Sequence, residues 1–157
     1  MSLAISSSAF SHNGTIPSQY TCDGADNVPP LSWSGAPSGT KSFALIVDDP
    51  DAPDPAKPKM TYVHWVVYDM PVTASGISEG GKLPGGARVG KNDWGKAAYG
   101  GPCPPIGRHR YFFKLYALDA TLGELSDASK GSVERAMKDH VIAQAELVGT
   151  YERSKKA

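Results

Sequence analysis

At 157 residues the chain matches the length of one domain, and it can bury enough surface to need no metal or disulfide for its core. Its 16 basic residues cancel its 16 acidic ones, and neither sign runs in blocks. That excludes the basic footprint that nucleic acid or an anionic membrane demands. No apolar stretch approaches the roughly 20 residues of a membrane span, so no integral membrane contact is expected.

The opening residues 1–6 have neither a basic n-region nor a long apolar h-region, so no export leader is read and the cytoplasm is the expected compartment. Asn13-Gly14-Thr15 is then a chance glycosylation sequon. Cys22 and Cys103 form no C-x-x-C pair. A bond between them requires their loops to meet, and a reducing compartment weighs against it.

The 17 Gly and 13 Pro cluster between apolar runs, a pattern of short strands joined by shaped loops. Residues 43–47 are continuously apolar, as in a strand covered on both faces. Asp49-Pro50-Asp51-Ala52-Pro53 follows; its prolines fix φ, and Ala52-Pro53 is a candidate cis bond. Counting a calcium loop from Asp49 puts Pro53 and Met60 where oxygen ligands are required, so that reading fails.

Residues 62–68 read as a second strand. Strict alternation puts His64, Val66 and Tyr68 on one face and Val63, Trp65 and Val67 on the other. Gly76-Ile77-Ser78-Glu79-Gly80 matches G-x-S-x-G but lacks the flanking strand and helix of a nucleophile elbow. Gly85 to Asn92 nearly spells a phosphate-binding loop, with Asn92 where Ser or Thr must hold magnesium. Both are read as loops.

Residues 101–111 form a proline-rich loop running into a third strand, 110–118. Its alternation sets His109, Tyr111 and Phe113 on one face and Arg110 and Phe112 on the other. Val133, Met137 and Val141 recur every four residues and predict a helix over about 133–145, with Ser132 as N-cap. Gly149-Thr150-Tyr151 returns as a last short strand. The expected fold is mostly β: an antiparallel sandwich with one main helix near the C-terminus, in a single domain over 1–157.

Three polar segments fall where strands give out: 49–53, His64 and 101–111. His64, His109, Tyr111 and the loop N–H groups would together suit a phosphate-like oxyanion. Arg110, pointing away, is cast as a structural partner for Asp51 or Asp49. The alternative is a hydrolase in which Asp49, His64 and His109 do acid–base chemistry or hold a metal. No nucleophile is placed for it, although Cys103 lies close to His109 in sequence.

These segments, D-P-D-A-P, Y-V-H-W-V-V-Y-D-M-P and G-P-C-P-P-I-G-R-H-R-Y, resemble the signature of phosphatidylethanolamine-binding proteins. Residues 20–24, 29–33, 90–95 and 143–147 are similar to the bacterial and archaeal Raf-kinase-inhibitor-like branch. The resemblance implies a sandwich with an anion pocket formed by Asp49, Ala52, Pro53, Tyr62, His64, Gly101, Pro102, His109 and Tyr111. It implies no catalytic residue, metal or cofactor. The expected ligand is phosphate, acetate or a phospho head group, with a kinase or protease as inhibited partner and a homodimer as the assembly. Eukaryotic relatives carry a C-terminal helix over the pocket; this chain stops soon after Tyr151, so a more open pocket is expected.

Overall fold

The computed structural model describes residues 3–123, 125 and 128–153. Its strands are β1 (Ala4–Ser6), β2 (Gly14–Thr15), β3 (Leu31–Ser34), β4 (Ser42–Ala52), β5 (Met60–Pro71), β6 (Gly76–Ile77), β7 (Arg88–Val89), β8 (His109–Leu118) and β9 (Val141–Tyr151). One helix, α1 (Lys130–Met137), lies between β8 and β9. The strands form a six-stranded sheet, β2-β9-β8-β4-β5-β7, and a three-stranded sheet, β1-β3-β6. The pairings are antiparallel except for β2 with β9, which is parallel.

The continuous apolar run predicted for residues 43–47 has its cause in β4. This strand is central in the large sheet, and Ala44, Leu45 and Ile46 are fully buried. One face of that sheet packs Leu45, Val47, Phe113, Leu115 and Leu147 against Ile5, Leu31 and Trp33 of the small sheet. The other face packs Ala44, Ile46 and Val66 beneath Val133 and Met137 of α1. Each such Leu or Ile contributes roughly 1.5–3 kcal/mol by leaving water.

Three expectations are corrected. The helix starts at Lys130 on an N-cap from Ser129, whose side chain accepts from Ser132 N, rather than at Val133 on a Ser132 cap. It also stops at Met137, because Lys138 is extended and Asp139 takes a left-handed φ of 70°. Residues 141–145 instead continue into β9, which pairs with β8 along its whole length from Leu118↔Val141 to His109↔Tyr151. That ladder outweighs another turn of helix, which is why Val141 is 39% exposed rather than on a buried stripe.

Alternation in β5 is interrupted. Val47 pairs with Trp65 but Asp48 pairs with Val63, so His64 is the extra residue of a bulge. Val63 consequently joins Val66 and Tyr68 on the helix side, while Trp65 and Val67 enter the inter-sheet core. Finally, Cys22 and Cys103 are bonded. Their loops do meet: Cys22 N donates to Pro102 O at 3.1 Å. No helix among the described residues is long and apolar enough to cross a membrane.

Candidate functional site

At the end of β4 three acidic side chains go three ways. Asp48 turns to the helix side, where Lys114 and Lys130 reach its carboxylate at 3.2 and 2.9 Å. Asp51 is gripped by Arg110, whose backbone N, Nε and Nη2 donate at 2.9, 3.0 and 2.9 Å. These bonds hold the Asp51 carboxyl below its ordinary range. Arg110, spread over the Phe112 ring, is thereby committed to structure.

Asp49 points inward. Its Oδ1 accepts from Asp51 N at 2.7 Å, and its Oδ2 accepts from Nδ1 of His109 at 2.5 Å. The other nitrogen of His109, Nε2, faces the carbonyls of Ile106 at 2.8 Å and Pro53 at 3.1 Å. Both ring nitrogens thus face protein acceptors, and neither is turned toward the cavity's free space. The Ala52–Pro53 peptide bond is cis.

His64 is fixed by its bulge. Its Nδ1 donates to Gly100 O at 2.8 Å, while its own carbonyl accepts from Gly100 N at 3.0 Å. Edges of Tyr62, Trp94 and Tyr111 surround the ring at 5.1–5.5 Å between centroids. Burial pushes its pKa below the usual 6.5, against the opposing pull of the Gly100 carbonyl and Asp49. With Nδ1 committed, Nε2 is the nitrogen left for a ligand.

These side chains wall a cavity of about 340 Å³ lined by Asp49, Ala52, Pro53, Tyr62, His64, His109 and Tyr111, together with Met60, Trp94 and the Cys103–Pro105 segment. Tyr111 is 1% exposed, and its hydroxyl has no hydrogen-bond partner among the described residues. Burial and nearby Asp49 keep that phenol protonated. Neither Lys nor Arg is among the described residues that line the cavity.

Gly101 and Pro102 fall just outside the lining and brace it: the Gly101 backbone bears on the His64 ring, and Pro102 O accepts from Cys22 N. Gly101 N donates to Asp26 at 2.9 Å, and an added Cβ would sit 2.4 Å from Tyr20 O. Trp94 escaped the sequence reading as a site residue. It is placed by Asn92, whose side-chain oxygen accepts from Trp94 N and Lys96 N. The signal for it was a tryptophan between turn residues, where a large ring has no core to fill. Met60 left no such signal, because only the fold brings it to the mouth, whereas the Cys103–Pro105 face lies within the 101–111 segment that the sequence singles out.

The family model for phosphatidylethanolamine-binding proteins matches residues 6–152. The chain belongs to the phosphatidylethanolamine-binding protein family. A curated relative from Methanothermobacter thermautotrophicus, described as a UPF0098 protein, is 50% identical over 149 residues, covering 92% of this chain and 95% of the relative. Among solved structures the chain is similar to a phosphatidylethanolamine-binding protein homologue of Chlamydia trachomatis, with TM-score 0.90, 40% identity and coverage of 98% and 99%. It is also similar to YbcL of Escherichia coli, with TM-score 0.87, 34% identity and coverage of 98% and 100%. The resemblance, the mostly β fold and its two sheets therefore stand as expected.

Proposed function

We propose that the chain is a non-catalytic binding protein whose cavity takes a small anionic group, a phosphate, acetate or phospho head group. The observation that carries this reading is the hydroxyl of Tyr111: a lining donor, buried, and without a partner among the described residues. A buried donor left unmade costs roughly 1–3 kcal/mol, and a bound oxygen removes that cost. Tyr62, His64, Trp94, Ala52 and Pro53 supply the surrounding surface. Family membership supports a binding protein in general; inhibition of a kinase or protease is a further expectation of the same kind.

Of the groups the hydrolase reading needs, Asp49 and His64 line the cavity, whereas His109 and Cys103, also in its lining, are engaged by other protein groups. Both nitrogens of His109 are held by Asp49 and two carbonyls, and Cys103 is spent in the disulfide. Titration of inorganic phosphate and O-phosphorylethanolamine into wild type and Tyr111→Phe, followed by calorimetry, tests the proposal. Saturable binding weakened about tenfold or more by the variant is expected, the worth of one hydrogen bond to a charged ligand. Equal affinity in both proteins would remove Tyr111 from the site, and no binding to either would sink the reading.

A further inference from the structure

An anion in this cavity meets an electrostatic difficulty that the folded chain does not solve in its resting state. Asp49, 3% exposed, already places a carboxylate in the wall. The nearby guanidinium of Arg110 is committed to Asp51 and lies outside the lining. His109 has both nitrogens bound to protein acceptors, so it has no N–H left to turn toward a ligand. A second negative charge beside Asp49, away from water, is costly unless a positive charge arrives with it.

One ring nitrogen is placed to supply that charge. His64 is 4% exposed and lines the cavity; with Nδ1 on the Gly100 carbonyl, a neutral ring presents Nε2 as an acceptor only, which repels an oxyanion. Protonated, the same nitrogen becomes a donor on a ring packed edge-to-face with Tyr111, 5.2 Å between centroids. The groups that face His64 are few. Among the described residues they are Tyr62 on β5, Trp94 and the backbone of Gly100 and Gly101 on the loop before β8, Tyr111 on β8 with His109 stacked beyond it, and Asp48 and Asp49 on β4. Both tyrosines are shifted up and stay neutral. Burial opposes a proton on His64 in the free protein, and an anion in contact reverses that preference.

We propose that the cavity takes up its anion together with one proton, and that the proton goes to Nε2 of His64. Anion and proton together then add no net charge to the wall: binding is proton-linked, favoured as the pH falls. This inference rests on the anion-binding reading above and adds its regulation.

Acetate is the probe, because between pH 7 and 8, where protons are counted, it is fully ionised and brings no proton of its own. Calorimetry at pH 7.5 in buffers of different ionisation heat counts the protons absorbed per acetate bound. An uptake close to one is expected, with affinity falling toward tenfold per pH unit from 7 to 8, the slope for one linked proton. In histidine-labelled protein, the His64 resonances should move to imidazolium values on saturation. His64→Gln should bind acetate more weakly and without pH dependence; if that variant does not fold, the proton count on wild type decides alone. Saturable binding with no proton uptake, or with the proton on another group, overturns the inference and leaves the binding reading intact. Absence of acetate and phosphate binding from pH 5 to 8 removes the reading itself.

Discussion

Asp51 and Arg110 show what a single side-chain pair does at the rim of this cavity. The guanidinium and backbone of Arg110 supply three donors to one carboxylate of a buried Asp. Asp51→Asn should cost roughly 1.5–3 kcal/mol at neutral pH, as for hydrogen bonds to a charged group. Because the folded carboxyl titrates below its ordinary value near 3.8, the stabilisation is complete above that value and fades as pH falls through the lower folded value. Urea titrations at pH 7 and pH 3 should therefore show the gap between wild type and variant narrowing in acid. His64 adds to the acid sensitivity. Its folded pKa is lowered, so below about 6.5 the unfolded chain gains a proton that the folded one resists. Tyr111→Phe separates stability from function. Removing an unpartnered buried hydroxyl should leave stability unchanged or raise it by about 1 kcal/mol, while ligand affinity falls. Chemical denaturation and ligand titration on the same preparation check both.

The elements around the cavity were legible to different degrees. Alternation in β8 placed His109 and Tyr111 together and Arg110 opposite, because a regular strand repeats every two residues and β8 pairs regularly with β4 from Ser42 to Asp48. The same rule failed in β5, where the bulge at His64 flips every residue before it. Nothing local in Val63-His64-Trp65 announces that bulge; it is set by pairing with β4. The helix was misplaced for a related reason, since Val133, Met137 and Val141 fit a helical stripe until the β8 ladder claims Val141. The Cys103 loop yields two predictions at this scale. Reducing the Cys22–Cys103 bond, which spans 81 residues of sequence, should lower stability by roughly 2–4 kcal/mol through the freed unfolded chain. Denaturation with and without a dithiol reductant measures this. Gly101→Ala should displace the same wall, since the new Cβ would lie within 2.4 Å of Tyr20 O and 2.2 Å of an Asp26 carboxylate oxygen. A lowered melting temperature together with weakened ligand binding is expected, against little effect of alanine at exposed Gly85, where nothing stands within 4 Å.

At the scale of the whole molecule, β4 is the strand on which both cores rest, with one layer on its small-sheet face and another beneath α1. Amide exchange should accordingly be slowest in β4 and the part of β8 paired with it, and fastest in the short strands β2 and β7 at the edges of the large sheet. The amino-acid sequence alone was sufficient for the mostly β class, the buried strand at 43–47, the pairing of functional faces on β8 and the family. Those properties follow from composition, two-residue periodicity and contiguous motifs, which are local along the chain. Tertiary structure decided the rest. It joined Cys22 to Cys103, moved residues 141–145 from helix to strand, brought Met60 and Trp94 to the cavity and set Gly101 and Pro102 just outside its lining. It also closed both nitrogens of His109 against protein acceptors while leaving the Tyr111 hydroxyl open. Each of these depends on which distant backbone lies alongside, and that is fixed by burial and sheet pairing across the fold, beyond the reach of any local pattern.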